Sequence, residues 1–312
     1  MFSTRIGLGC MGFSQAYGPA DDDQSILTIR AALDHGVRLL DTAMSYGGGH
    51  NEELVGRAVA GRRDDAVLAT KFGIVRGPEG VRLDAHPDRV RDYCDASLRR
   101  LGVDVIDLYY LHRADPTVPI EDTVGAMAAL VTAGKVRQLG LSEVSPAQFA
   151  AARAVHPIAA VQLEWSLAWR EPEGDIIPAA RAGGAGIVAY SPLGRGLLTG
   201  ALPPEPFGPG DFRAGDPRFA GETLAANLAV VDAVRSKAAA YGVSTGQLAL
   251  AWLLARGDDV LPIPGTRNPS RIVENAAAAD LVLTPDDLAF LDGLAWQGDR
   301  RSFAAYGTSR SA

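Results

Sequence analysis

An aspartate, a phenol, an amine and an imidazole sit at the ends of three successive apolar runs, and together they could move one proton. Val37-Arg38-Leu39-Leu40 leads into Asp41, with Tyr46 shortly after it and Gly47-Gly48-Gly49 beyond. Val67-Leu68-Ala69-Thr70 ends in Lys71, and Val105-Ile106-Asp107-Leu108-Tyr109-Tyr110-Leu111 ends in His112. A strand-end aspartate by itself is as readily a helix cap, and a loop tyrosine as readily packing. Packing does not require all four groups at three consecutive strand mouths. A free phenol, with a pKa of about 10, is a poor acid at neutral pH, but a neighbouring ammonium favours the phenolate and pulls that value down. The pattern therefore predicts that Lys71 supplies the ammonium and that Asp41 orients it and keeps it charged. Tyr46 would then donate a proton to an oxygen on which negative charge develops, and His112 would donate to the same oxygen. Proton donation to a carbonyl needs a companion hydride, hence a nicotinamide. An aldolase-like imine at Lys71 stays open as an alternative, although an amine paired with a carboxylate remains protonated and poorly nucleophilic.

The elements that must position these groups follow from hydrophobic periodicity. Strand-like runs cover 5–9, 37–40, 66–70, 104–111, 136–142, 159–163, 186–191 and 260–265. Helical stretches separate them at about 24–35, 51–60 with Asn51 as N-cap, 87–101, 120–133, from Ser145-Pro146 onward, 175–182 and 268–277. Eight strands alternating with helices predict a closed (β/α)8 barrel, of α/β class, with residues 1–312 as one domain. Gly7-Leu8-Gly9-Cys10-Met11-Gly12 matches a dinucleotide-binding spacing, but no helix opens directly behind it, so the match is read as coincidental. The stretch at about 197–223 is rich in Gly and Pro (Pro203-Pro204, Pro206, Gly208-Pro209-Gly210) and carries Phe207, Phe212 and Phe219. A loop that long in a compact domain is usually functional, and after the seventh strand it would lie over the mouth as a lid or strap. The tail at about 296–312, with Phe303 and Tyr306, either reaches the mouth or frays.

The bulk numbers narrow the class. A net charge of −7 argues against nucleic acid or an anionic membrane as the main partner, while leaving room for a local basic cluster. Cys10 and Cys94 are the 2 cysteines, without metal-ligand spacing or a disulfide framework, and no metal is expected. With no apolar run long enough for a membrane span and no signal-like N-terminus, the expected setting is the cytoplasm. No Gly-x-Ser-x-Gly elbow offers an acyl-transfer nucleophile. His35, His50, His86 and His156 read as surface or capping residues.

Over almost its whole length the chain resembles an aldo-keto reductase of the bacterial NADPH-dependent type. Leu40-Asp41-Thr42-Ala43 with Tyr46, Ala69-Thr70-Lys71 and Leu111-His112-Arg113 are similar to the strands that carry that family's catalytic tetrad. The resemblance implies Tyr46 as proton donor, tuned by Lys71 and Asp41, with His112 orienting the carbonyl. It implies that Ser142 and Gln162 hold the nicotinamide carboxamide; the next residue, commonly Asn in the family, is Glu143 here. Ala189-Tyr190-Ser191-Pro192-Leu193-Gly194 resembles the strand whose aromatic, Tyr190, stacks on the nicotinamide. Ser191 belongs to the same cofactor segment, and Leu193, Gly194 and Gly196 would offer backbone to the pyrophosphate. Gly265, Thr266, Arg267, Arg271, Glu274 and Asn275 resemble the adenosine-phosphate segment, the last two reading adenine. Its physics also stands alone: hydroxyl and guanidinium donors at a helix start, in an acidic protein, select an anion and favour NADPH over NADH. Around the substrate, Tyr17 is a pocket candidate, Trp165 and Trp169 either line the pocket or pack, and Arg113 either binds an acidic group or pairs with Asp115. The implied activity is NADPH-dependent reduction of a small aldehyde or ketone by a monomer or simple homo-oligomer. A nucleotide-sensing regulatory subunit on the same scaffold is the alternative.

Overall fold

Successive side chains of a strand point to opposite faces, so Leu39 and Asp41 share one face, as do Ala69 with Lys71, and Leu108 with Tyr110. In the computed structural model, which describes residues 4–77, 80–202, 207–208 and 210–300, that face is the inside of a barrel. Leu39, Ala69, Leu108, Tyr110, Val188 and Leu261 pack against one another there, while Leu40, Leu68, Tyr109 and Leu111 face the outer core shared with the helices. Asp41 and Lys71 are the next inward positions along their strands. The alternation alone carries two charged groups to one end of the barrel.

In chain order the elements are β1 (Leu8–Gly9), α1 (Asp22–Asp34), β2 (Leu39–Asp41), α2 (His50–Val59), β3 (Val67–Phe72), the hairpin β4 (Ile74–Gly77) and β5 (Gly80–Leu83), and α3 (Pro87–Leu101). There follow β6 (Ile106–Leu111), α4 (Ile120–Thr132), β7 (Val136–Ser142), α5 (Pro146–Val155), β8 (Ala160–Glu164), α6 (Ile176–Ala182) and β9 (Gly186–Tyr190). The chain ends with α7 (Gly221–Ala240), α8 (Thr245–Leu254), β10 (Val260–Pro262), α9 (Pro269–Ala277) and α10 (Pro285–Asp292). Eight of the strands form one parallel sheet in the order β1-β2-β3-β6-β7-β8-β9-β10. Gly7 N–H to the Pro262 carbonyl (3.0 Å) and Gly9 N–H to Pro264 (3.3 Å) close its edges, giving the expected single-domain (β/α)8 barrel.

That seam explains Gly7 and Gly9. A Cβ on Gly9 would lie 2.8 Å from the Ile263 carbonyl oxygen, and one on Gly7 would lie 2.9 Å from Ile263 Cγ2. The glycine spacing serves barrel closure, and only a short 3-10 turn (Met11–Phe13) follows it.

Local signals hold where capping chemistry is explicit. His86 accepts the Asp88 N–H at the start of α3, and Ser145 with Gln148 forms a capping box on α5. Asn51 departs from its expected capping role. Gly47, Gly48 and Gly49 take φ of 57°, 65° and 105°, so α2 begins one residue earlier, capped by Gly49, and Asn51 turns inward. There its amide donates to the Cys10 carbonyl (2.9 Å) and Ser14 Oγ (2.8 Å) and accepts from Thr42 Oγ1 (2.6 Å), fixing the chain beside Asp41. The helices α7 and α8 and the β4–β5 hairpin were not among the expected elements, although Ser244 with Gln247 forms a capping box at the start of α8. In α8 every residue but Gln247 is buried, so it carries no polar face and no helical period. Cys10 and Cys94 are buried free thiols, and among the described residues no helix is long and apolar enough to cross a membrane. Pro203, Pro204, Pro206, Pro209, Phe303 and Tyr306 lie outside the described residues.

Asn51→Ala leaves the buried Thr42 hydroxyl without its acceptor and removes one of the two donors on the Cys10 carbonyl, the other being the Phe13 N–H. Thermal denaturation should show a loss of about 1–3 kcal/mol, the cost of an unsatisfied buried polar group; an unchanged midpoint would refute this anchoring role.

Candidate active site

Lys71 Nζ lies 2.5 Å from Asp41 Oδ1, 2.8 Å from the Thr42 carbonyl and 3.4 Å from the Tyr46 hydroxyl. The other Asp41 oxygen accepts from Gln162 Nε2 at 2.7 Å. The Tyr46 ring meets His112 edge to face, centroids 5.8 Å apart. Four groups separated by up to 71 positions thus converge, because β2, β3 and β6 are neighbours in register and Lys71 pairs with Tyr110 two residues before His112.

The electrostatics differ from expectation at Tyr46. Burial pushes its pKa above the ordinary phenol value; Lys71 pulls it down, but Asp41 adds to the rise and the net shift is upward. The phenol is therefore firmly protonated at neutral pH. For Lys71, burial works against the charge, yet Asp41 and then Tyr46 together raise it above the usual amine range. Burial also draws Asp41 upward, opposed by its contacts with Lys71 and Gln162. The short contact between them is charge-assisted, and we read the pair as ammonium and carboxylate. His112 moves the opposite way: burial, then the charges of Arg113, Lys71 and Arg76, hold it well below 6.5, so its ring is neutral.

These groups open into a cavity of about 520 Å³, within the range of small-molecule sites. Its walls include Asp41, Tyr46, His112, Ser142, Gln162, Tyr190, Ser191, Leu193, Gly196, Gly265, Thr266, Arg267 and Arg271, and also Tyr17 and Arg113. Tyr190 is held by its hydroxyl, which donates to Glu143 Oε1 at 2.9 Å; Glu143 also accepts the Glu164 N–H (2.9 Å) and pairs with Arg300 at 2.7 Å. Through Arg300 the C-terminal segment reaches the site. Among the described residues, Ala16, Glu143, Ser191 and Arg195 are the four non-glycine residues with positive φ, and all of them line or adjoin this cavity. Strain gathered at one site is typical of ligand clamps. Across the opening, Phe212 N–H donates to the Ala16 carbonyl at 2.9 Å, and Arg213 lies over the Tyr17 ring at 5.3 Å. The 197–223 stretch is thereby joined to the loop after β1.

A model of the Aldo/keto reductase family matches residues 5–295. This chain belongs to the aldo/keto reductase family. It is 44% identical over 287 residues to the aldo-keto reductase yakc [NADP(+)] of Schizosaccharomyces pombe, covering 89% of this chain and 84% of that protein. Its structure is similar to that of the glycerol dehydrogenase AKR11B4 from Gluconobacter oxydans, with a TM-score of 0.87, 36% identity, and 93% and 90% of the two chains covered. An aldo/keto reductase from Klebsiella pneumoniae, solved in complex with NADP and acetate, matches with a TM-score of 0.73 and 31% identity over 96% of this chain and 94% of that one.

Within this aldo/keto reductase, several residues sit otherwise than their types suggested. Trp165 is buried, donates from Nε1 to Glu173 at 2.9 Å and packs on Trp252, away from the cavity wall. Arg113 does not take Asp115: one of its Nη groups donates to the His112 carbonyl (2.6 Å) and Ser142 Oγ (3.1 Å), while Asp115 accepts from Thr117 and Ala85. Arg267 is spent on structure, donating to the carbonyls of Gly12 (2.8 Å), Tyr17 (3.0 Å), Gly18 (3.0 Å) and Pro19 (2.8 Å). At the start of α9 the first free amide, Ser270 N–H, is capped by Asn268, leaving the Arg271 guanidinium as the unengaged cation there. Glu274 is bound by Ser244 Oγ at 2.5 Å, and neither it nor Asn275 is on the cavity wall. Gly194 is likewise off the wall, its N–H donating to the Ser191 carbonyl at 2.8 Å. Arg76, Arg195 and Arg213 are wall residues that no motif marked, whereas Phe212 on the wall is one of the aromatics of the 197–223 stretch expected over the mouth.

Because His112 resists protonation when folded but would take a proton near pH 6.5 when unfolded, its burial lowers stability progressively as pH falls below that value. Its ring resonances in an NMR titration should stay those of neutral imidazole from pH 8 to about 6; a protonation step in that window would contradict the assignment.

Proposed function

We propose that this chain reduces an aldehyde or ketone to the alcohol, with NADPH as hydride source and Tyr46 as proton donor. As an aldo/keto reductase it is an NADP-dependent oxidoreductase. The observation that carries the finer reading is a protonated phenol 3.4 Å from a buried ammonium, in a cavity that a neutral imidazole also lines.

The cavity fits a phosphate-bearing dinucleotide. Its wall carries six guanidinium groups against the single carboxylate of Asp41, itself neutralised by Lys71, and it runs from the tetrad to Arg271. Ser142 and Gln162 would hold the carboxamide, and Tyr190, fixed through Glu143, would present its ring to the nicotinamide. Ser191, Leu193, Gly194 and Gly196 form the segment beside the pyrophosphate, with the 197–223 stretch as a strap over it. Gly265, Thr266 and Arg271 would take the 2′-phosphate, and Glu274 and Asn275, behind the cavity wall, would meet the adenine only from the α9 side. When bound, NADPH supplies a hydride to the carbonyl carbon. Tyr46 gives its O–H proton to the carbonyl oxygen as charge grows there, completing the alcohol. Lys71 stabilises the phenolate left behind, Asp41 keeps Lys71 charged, and His112 donates its ring N–H to the same oxygen. The two free buried thiols suit a reducing, cytoplasmic setting, and a monomer or simple homo-oligomer suffices for a site built within one chain.

Tyr46→Phe should lower kcat by about 10²–10⁴, the usual range for a lost general acid, while NADPH still binds by fluorescence; undiminished turnover would end the role. Arg271→Ala should weaken NADPH roughly 10- to 100-fold, as expected for a charged hydrogen bond, and leave NADH nearly unaffected. Equal losses for the two cofactors would undo the 2′-phosphate assignment.

A further inference from the structure

Sorting the six wall arginines by what they already hold separates their roles. Arg267 is tied to four carbonyls, and Arg213 grips Asp211 through two nitrogens at 3.0 and 2.7 Å. Arg195 faces the buried Glu164 and Asp216 at 3.4 and 3.8 Å, and Arg113 braces His112 and Ser142. Arg271 stands at the α9 end. Arg76 alone remains at the tetrad end with open donors. Its Nε is pinned to the Ser45 carbonyl at 3.2 Å, next to Tyr46, and its terminal nitrogens have no hydrogen-bond or ion-pair partner among the described residues.

Topology separates Arg76 from the nucleotide. It is carried on β4, which leaves β3 through a turn at Gly73 (φ 96°). In the closed ring of eight strands β3 is third and β9 seventh, so the two are diametrically opposite. The proposed pyrophosphate segment follows β9, and Arg271 follows β10. A cation opposite the first and three strands round from the second is set apart from the proposed phosphate positions of the dinucleotide. It shares the cavity wall with Tyr46 and His112, and its bond to the Ser45 carbonyl fixes it at that end.

We propose that Arg76 forms an anion subsite at the catalytic end of the cavity, and that the preferred carbonyl substrate carries a carboxylate there. The proposal rests on the reductase reading above for its reaction. A guanidinium whose Nε is fixed and whose two terminal nitrogens point free matches the planar, two-point geometry of a carboxylate, which a lone ammonium or hydroxyl would not. Asp41, the one carboxylate on the wall among the described residues, is already neutralised by Lys71 and so does not repel an incoming acid. Because Arg76 is at the exposed rim, the gain is moderate and sensitive to salt.

The test compares 4-carboxybenzaldehyde with its methyl ester, using NADPH oxidation by the full-length protein. The wild type should favour the acid by about tenfold in kcat/KM, mostly through KM, with the preference shrinking in added salt. Arg76→Ala should lower kcat/KM for the acid about tenfold more than for the ester, and Arg76→Lys should restore part of the difference. Calorimetric titration of the NADP+-loaded protein with benzoate gives a second readout, in which Arg76→Ala should weaken binding by a similar factor. No preference for the acid, or equal losses for acid and ester in Arg76→Ala, would overturn the subsite. If neither aldehyde is reduced but benzoate binding still depends on Arg76, the reductase reading falls and the subsite stands. If benzoate binding is also indifferent to Arg76, both fall.

Discussion

The structure depends on one buried ion pair. Taking an ammonium and a carboxylate out of water costs several kcal/mol for each ion, and their attraction repays this only when the remaining hydrogen-bonding capacity is also met. Here the accounting is complete for the lysine. Its three donors go to Asp41, the Thr42 carbonyl and the Tyr46 hydroxyl, and the second Asp41 oxygen goes to Gln162. Four strands must be in register for this to happen, because Asp41, Lys71 and Gln162 come from β2, β3 and β8, and Tyr110 of β6 packs beneath the amine. The pair is thus a consequence of barrel closure and a reason for the barrel to keep one register.

Around that pair the electrostatics sort the titratable groups by protonation state. Burial raises the phenol and lowers the imidazole, so at neutral pH both are uncharged donors, beside an ammonium that is held charged. The lysine partly offsets the desolvation of Tyr46; in the proposed reaction its larger contribution is to stand beside the oxygen on which charge would appear when the proton leaves. That is preorganisation of the surroundings, more than a lowered ground-state pKa.

The cavity's far wall shows how similar residues part company in three dimensions. Arg267 and Arg271 are one helical turn apart in sequence, and both looked like phosphate ligands. Arg267 instead joins the loop after β1 to the barrel through four carbonyls, and Phe212 joins that same loop from the 197–223 side. The loop after β1 is therefore fixed from two directions, which keeps Tyr17 and Ala16 at the opening. Positive φ at Ala16, Ser191 and Arg195 is tolerated because these contacts over-determine the backbone.

From the amino-acid order alone came the barrel, its strands to within a few residues, and the four polar groups that meet at its mouth, because period-two alternation and strand-end polarity are local properties of the chain. The bounds of α3, Pro87–Leu101, were legible in full, since proline, capping histidine and terminal glycine mark them explicitly. Only the tertiary structure decided partners. Asn51 turns inward instead of capping, Trp165 packs on Trp252, Glu274 is taken by Ser244, and Arg76 is left with open donors. A side chain's hydrogen-bond partner depends on which distant segment packs beside it, and no window of neighbouring residues contains that information.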